Sequence, residues 1–171
     1  MKLLSAPFVV AALAAVPPVQ AQPAYPSETI TIVVPTAAGG ANDAMARVIA
    51  QRLGPLLGQT VIIDNKAIAS EAVARSAPDG HTLMLGYIAT HGMNPALQWY
   101  AIFAPAKTPR PIVDKLNKTL NEVLTEKEIV KRMQEHGADV QTGTPEQLGA
   151  LVKSELVKWK RVVQAANLTA D

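Results

Sequence analysis

Three short apolar runs, spaced so that a helix fits between each pair, restrict this chain more than any other feature. Thr29-Ile30-Thr31-Ile32-Val33-Val34-Pro35 is the first, stopped by its proline and by Gly39-Gly40. Thr60-Val61-Ile62-Ile63-Asp64 and Thr82-Leu83-Met84-Leu85-Gly86 are the second and third. Their apolar character is continuous rather than alternating, which marks strands buried on both faces, as in parallel sheets covered by their crossover helices. Between the first two runs, Asn42 or Asp43 can cap a helix that carries Met45, Val48, Ile49 and Leu53 on one face. Gly54 and Pro55 disturb its end and Gly58 closes it. Between the second and third, a short helix from about Ser70 to Ser76 ends at Pro78-Asp79-Gly80, a turn signal. Strand and helix alternate, so the fold is α/β with a mostly parallel sheet flanked by helices.

Beyond Leu97 the character changes. Trp99 to Ala104 reads as one more strand, ended by Pro105. Thr108-Pro109 supplies a cap and a first-turn proline for a helix with Ile112, Val113, Leu116, Leu120, Val123 and Leu124 on one face. A further helix from about Glu126 carries Ile129, Val130 and Met133 and stops at Gly137. Thr144-Pro145-Glu146-Gln147 has the form of a capping box. It opens a last helix, which is expected to dock Trp159 and Val163 onto the domain that holds the first strand.

Residues 1–21 have the form of an export signal: Lys2, an apolar stretch from Leu3 to Val16, a Pro17-Pro18 break and small residues at Val19-Gln20-Ala21. The expected mature chain begins at Gln22 and is periplasmic. A length of 171 residues suits a single domain and not two full ones. The net charge is only +2, without a basic stripe, so nucleic acid is not an expected partner. Cysteine is absent, which removes thiolate metal sites and cysteine nucleophiles. His81, His91 and His136 have no metal-ligand spacing, and there is no G-x-S-x-G elbow, so neither an enzyme nor a cofactor is expected.

Two segments are placed to meet a ligand, because open α/β sheets bind at the carboxyl ends of their strands. Pro35-Thr36-Ala37-Ala38-Gly39-Gly40-Ala41-Asn42-Asp43 joins a strand to a helix, where backbone amides and the helix dipole favour an anion. It has neither the Rossmann spacing nor a P-loop lysine, and an ordinary tight turn is the competing reading. Gly86 to Asn94 follows the third strand and offers Thr90, His91 and Asn94 as hydrogen-bonding side chains. For His91 the competing reading is a solvated loop histidine.

The order of several motifs resembles the periplasmic receptors of tripartite tricarboxylate transporters, the Bug or TctC-like family. Tyr25-Pro26-Ser27 and Ile30 to Pro35 look like the family's opening, and Ala37-Ala38-Gly39-Gly40 with Asp43 and Ala46-Arg47 like its first ligand loop and the helix of that loop. Leu57-Gly58-Gln59, Asn65-Lys66 and Ala77-Pro78-Asp79-Gly80-His81-Thr82-Leu83 follow in order, with His81 where the family usually has tyrosine. Thr90-His91-Gly92-Met93-Asn94-Pro95-Ala96-Leu97, Trp99-Tyr100, Thr108-Pro109 and Gly143-Thr144-Pro145-Glu146 complete the match.

The resemblance implies a type II periplasmic-binding-protein lobe that takes a small carboxylate or amino acid and delivers it to a membrane permease. Its ligand residues would be Thr36, Ala37, Ala38, Gly39, Gly40, Asn42 and Asp43 in the first loop, with Thr90, His91 and Asn94 in the third. Two departures stand out. Lys66 runs directly into Ala67-Ile68-Ala69-Ser70 where the family has a P-G-A-G-G stretch. Leu97 meets Gln98 where the family inserts a second lobe. Residues 22–97 then form the first part of the lobe and residues 98–171 its return, with apolar surface expected around Leu97, Trp99 and Tyr100. The alternative is a non-transporting remnant or interaction protein.

Overall fold

The computed structural model describes residues 24–87 and 99–165. Elements follow in the order β1 (Ile30–Val34), α1 (Ala41–Leu57), β2 (Val61–Asn65), α2 (Ala69–Ala74), β3 (Thr82–Tyr87), β4 (Tyr100–Phe103), α3 (Arg110–Thr125), α4 (Lys127–Glu135) and α5 (Pro145–Ala165). The sheet order is β2-β1-β3-β4. β1 lies parallel to β2, with Ile30 opposite Val61, and parallel to β3, with Thr31 opposite Thr82. The strand expected after Leu97 is present as β4, but it runs antiparallel to β3, with Met84 opposite Phe103.

β1 shows why its residues are continuously apolar. Side chains alternate across a sheet, and Ile30, Ile32 and Val34 join a core with Met45, Val48, Ile49 and Leu53 of α1, Leu116 and Val123 of α3, and Ile129 and Met133 of α4. Val33 points the other way and meets Ala69 and Val73 of α2, with Met84 beside them. The sheet is therefore covered on both faces, heavily by α1, α3 and α4 and thinly by α2.

Several boundaries differ from those read in the sequence. Neither Asn42 nor Asp43 is the cap of α1; that position is Gly40, in extended backbone. α1 also continues through Gly54 and Pro55 to Leu57, so those residues do not end it. Gly58 does, in left-handed backbone at φ 70°, which glycine alone adopts without a Cβ penalty. α3 is capped by Pro109 rather than Thr108, whose hydroxyl instead donates to the Pro105 carbonyl at 2.8 Å. Trp99 and Tyr100 are half-buried, with the Trp99 and Phe103 rings 6.5 Å apart, so they are not the bare apolar surface expected there.

The larger correction concerns α5. Its capping box forms as expected: the Gln147 N–H donates to Thr144 Oγ1 at 3.2 Å and the Thr144 N–H to Gln147 Oε1 at 2.8 Å. The start of α5 hangs from α3 by polar contacts, since Asn117 and Asn121 both donate to the Gly143 carbonyl, at 2.9 and 3.0 Å. Arg110 also pairs with Glu146. None of the α5 residues whose side chains are described is buried, and Leu156 is 66% and Val157 53% exposed. Trp159 is half-buried, donates to Glu155 of its own helix at 3.0 Å and is not among the residues packed on the β1 core, while the side chain of Val163 lies outside those described. The reason is chemical. Interactions at a helix terminus fix where the helix begins, whereas burial of an apolar face holds its length.

Leu53 is fully buried while Leu156 is mostly exposed. In urea denaturation, Leu53→Ala is expected to cost about 2–5 kcal/mol. Leu156→Ala is expected to stay within about 0.5 kcal/mol. Equal costs would show that α5 is packed.

Candidate functional site

The parallel arrangement brings the carboxyl ends of β1, β2 and β3 to one edge of the sheet. Three connections leave there: residues 35–40, residues 66–68 and the segment after Tyr87. Thr90, His91 and Asn94, expected to complete the site, lie outside the described residues, as does the Leu97–Gln98 junction.

The first connection is built around Asp43. Its carboxylate Oδ2 accepts the Gly39 N–H at 2.9 Å and the Arg47 Nε–H at 2.9 Å, and the residue is only 3% exposed. Asp43 thus folds the loop back on the first turn of α1 from the third helical position. Gly39 has φ 86°, a left-handed conformation that explains the glycine. Gly40 has φ −78° and ψ 170°, ordinary extended backbone, so its conformation makes no such demand. Ala37, Ala38, Gly39 and Gly40 are all exposed, whereas Asn42 is buried beside Asp43.

A second tie comes from β2. Asn65 Nδ2 donates to the Thr36 carbonyl at 3.0 Å, and the Lys66 N–H donates to the Val34 carbonyl at 3.0 Å. Asn65 and Arg47 were not among the residues singled out from sequence for the site. A polar residue ending an apolar strand and an arginine four positions after an aspartate on a helix were the available signals. Lys66 Nζ pairs with Asp64 at 2.6 Å, and within three residues the chain enters α2.

Electrostatically, the loop sits at the positive end of a 17-residue helix. Arg47, foremost, and the Gly39 N–H hold the Asp43 carboxyl down to about pKa 2, against the opposing effect of burial. Asp43 is therefore ionised, and its charge is balanced by Arg47. The Gly39 N–H is already given to Asp43, so the exposed backbone of the other residues from Ala37 to Ala41 and the helix dipole remain as the loop's attraction for an anion. Thr36 Oγ1 and Asp43 Oδ1 are buried without a hydrogen-bond partner among the described residues. The loop is open. Of two shallow depressions of the surface, one lined by Gly54, Gly58 and Thr60 lies away from it, and the other, lined by Arg47, Gln51, Ile62 and Ile63, adjoins its Arg47 tie.

The Asp43 ties carry a pH signature. Its folded pKa is below the unfolded value of about 3.9, so its stabilisation is full above that value and lost as pH falls towards about 2. Thermal melts from pH 5 to pH 2 should show this loss in the parent chain, and a shallower decline in Asp43→Asn. Parallel declines would mean that Asp43 is not tied as described.

Comparison with known proteins agrees with this architecture. The model of the tripartite tricarboxylate transporter family receptors matches residues 45–97 and 88–168 as two stretches. A UPF0065 protein of Agrobacterium vitis, encoded in the TAR-I ttuE-ttuC' intergenic region, is 37% identical over 100 residues, 56% of this chain and 27% of that protein. BugT of Bordetella pertussis is 46% identical over 66 residues, 36% of this chain and 20% of BugT. The matched part of the chain thus spans only about a fifth to a quarter of these relatives' length. Among solved structures, the periplasmic binding protein BugD aligns with a TM-score of 0.76 at 19% identity, over 86% of this chain and 100% of that one. MatC from Rhodopseudomonas palustris, solved with malate bound, aligns at 0.69 and 20% identity, over 81% of this chain and 100% of MatC. An R. palustris protein solved with adipate aligns at 0.73 and 18%, over 84% and 98%. The likeness to these structures is one of fold; the matched family model goes further, and the chain belongs to the receptor family of tripartite tricarboxylate transporters, a family of binding proteins and not of enzymes.

Proposed function

We propose that this chain is an extracytoplasmic solute-binding module for a small carboxylate, reduced to one lobe and correspondingly weak. The observation that carries this reading is the loop from Thr36 to Asp43, whose residues Ala37 to Ala41 are exposed at the amino end of α1. Asp43 and Asn65 hold it in place from two sides. One carboxylate of the ligand sits against Ala37 to Asn42, and Thr90, His91 and Asn94 complete the contact from the third loop. Relatives by fold solved with malate and with adipate support the ligand class. By family membership the receiving partner is a membrane permease. The sequence pattern of residues 1–21 supports export to the periplasm, where BugD is described as residing.

Weak binding follows from geometry. Good small-molecule sites bury most of the ligand surface, and hinge closure between two lobes is one way to do it. The family model matches in two stretches that overlap at residues 88–97, which supports an internal deletion at that place. Lys66 lacks the following glycine-rich stretch, which removes donors from the same edge. Each lost charge-assisted hydrogen bond costs roughly 1.5–3 kcal/mol. Losing two or more takes a micromolar site to about millimolar or beyond, at ~1.4 kcal/mol per tenfold.

Calorimetry against malate, adipate, citrate, glutamate and benzoate should give no heat at micromolar ligand. A micromolar affinity would overturn the one-lobe account, and absence of binding even at tens of millimolar would favour a remnant that no longer binds. Mass spectrometry of the envelope fraction should find a chain beginning at Gln22. An intact Met1 on a cytoplasmic product would contradict export.

A further inference from the structure

His81 opens β3 on the edge of the sheet opposite the candidate ligand loop, and its contacts are unlike those of a solvated histidine. Its side chain is only 12% exposed. The Ser27 N–H donates to its Nε2 at 3.2 Å. An imidazole nitrogen that accepts a hydrogen bond carries no proton, so the proton of the neutral ring resides on Nδ1. That nitrogen faces Asp79 Oδ1 at 3.3 Å and Glu28 Oε1 at 3.7 Å. The Tyr25 ring lies 5.1 Å from the imidazole.

The surrounding bonds are of a different kind. Tyr25 OH donates to the Gly80 carbonyl at 2.8 Å, and Lys115 Nζ of α3 donates to the Tyr25 carbonyl at 2.5 Å. Asp79 Oδ1 accepts the His81 N–H at 2.9 Å. Burial foremost, and then the charge of Asp79, push the Tyr25 phenol above its ordinary value, so it does not titrate near neutrality. The described titratable groups that face this ring are Glu28, Asp79 and Tyr25, with Lys115 reaching the Tyr25 backbone behind it. Among side-chain types, histidine is the one that switches between neutral and charged forms close to neutrality.

We propose that His81 is a proton-operated clasp: its neutral ring holds the segment at Ser27 through Nε2, and protonation of that nitrogen releases Ser27. Protonation makes Nε2 a donor, and two N–H groups then face each other where one hydrogen bond stood. The Asp79 and Glu28 carboxylates stabilise the charged ring through Nδ1, so the ring stays in place and the backbone at Ser27 moves off. The Tyr25 bond to Gly80 has no titrating partner in this range and persists, which confines the release to the stretch between Pro26 and β1. Ligand atoms of Glu28, Asp79 and His81 also lie within 4.8 Å of one another, a spacing that competes as a cation site. Metal ligation at Nδ1 would need the proton on Nε2, which the Ser27 N–H already occupies as donor.

Nitrogen-15 NMR of the full chain tests this directly. At pH 8, His81 should show the Nδ1–H tautomer, with Nε2 as the unprotonated nitrogen. As pH falls to 5, the Ser27 amide resonance should move in step with the His81 titration. Its exchange rate, corrected for intrinsic pH dependence, should rise roughly 2- to 10-fold, as expected for loss of one hydrogen bond. In His81→Gln, whose carbonyl accepts but does not titrate, the Ser27 amide should not follow that curve. An Nε2–H tautomer at pH 8, or a Ser27 amide indifferent to the titration, would overturn the proposal. So would zinc chloride shifting the Nδ1 resonance at equimolar addition, because the cluster would then be a cation site.

Discussion

β1 is buried on both of its faces, and the rest of the domain is arranged to make that possible. Ile30, Ile32 and Val34 face the thick layer of α1, α3 and α4, while Val33 faces α2. A strand buried on both sides has no solvent face, so its neighbours must satisfy its backbone on both edges. β2 and β3 do so in parallel register. That register requires crossover connections, and these deliver the chain repeatedly to the same edge of the sheet. The candidate loop exists at that edge because β1 is central. α1 begins there in order to return across the core.

This division explains what was legible in the sequence. Continuous β-branched runs and the 3.6-residue spacing of Met45, Val48, Ile49 and Leu53 report burial, and burial is a property of each residue that composition records. Helix ends are less legible because several residues compete for them. Asp43 has the chemistry of a cap but acts from the third position, because Gly40 leaves Gly39 as the donor that needs an acceptor. Pro55 has the chemistry of a helix breaker yet does not act as one. It lies in the last turn of a helix already closed by Gly58, so its missing N–H costs one bond near an end and does not break the helix. The direction of β4 was not legible at all, since an apolar run has the same composition in either direction.

The misplacement of α5 has a related cause. Its apolar residues predict an amphipathic helix, and the helix is there, but amphipathicity does not name the surface that covers it. Leu151, Leu156 and Val157 remain exposed in the described structure. For the site, sequence order located the loop and the family, while the ties that shape the loop come from Asn65 and Arg47, on a neighbouring strand and one turn down the helix. Such ties depend on register between segments far apart in the chain, as in the 29 residues between Thr36 and Asn65.

The functional account rests on a single physical claim: an anion is attracted to the exposed backbone between Ala37 and Ala41, and one wall is too little to hold it tightly. Backbone amide resonances followed by NMR during addition of malate to tens of millimolar address both halves of it together. The account predicts saturable shifts at Ala37 to Asn42 with a millimolar midpoint, and none at Gly54, Gly58 and Thr60 in the depression away from the loop. Shifts confined to other surfaces, or a loop unmoved at the highest concentration, would contradict it.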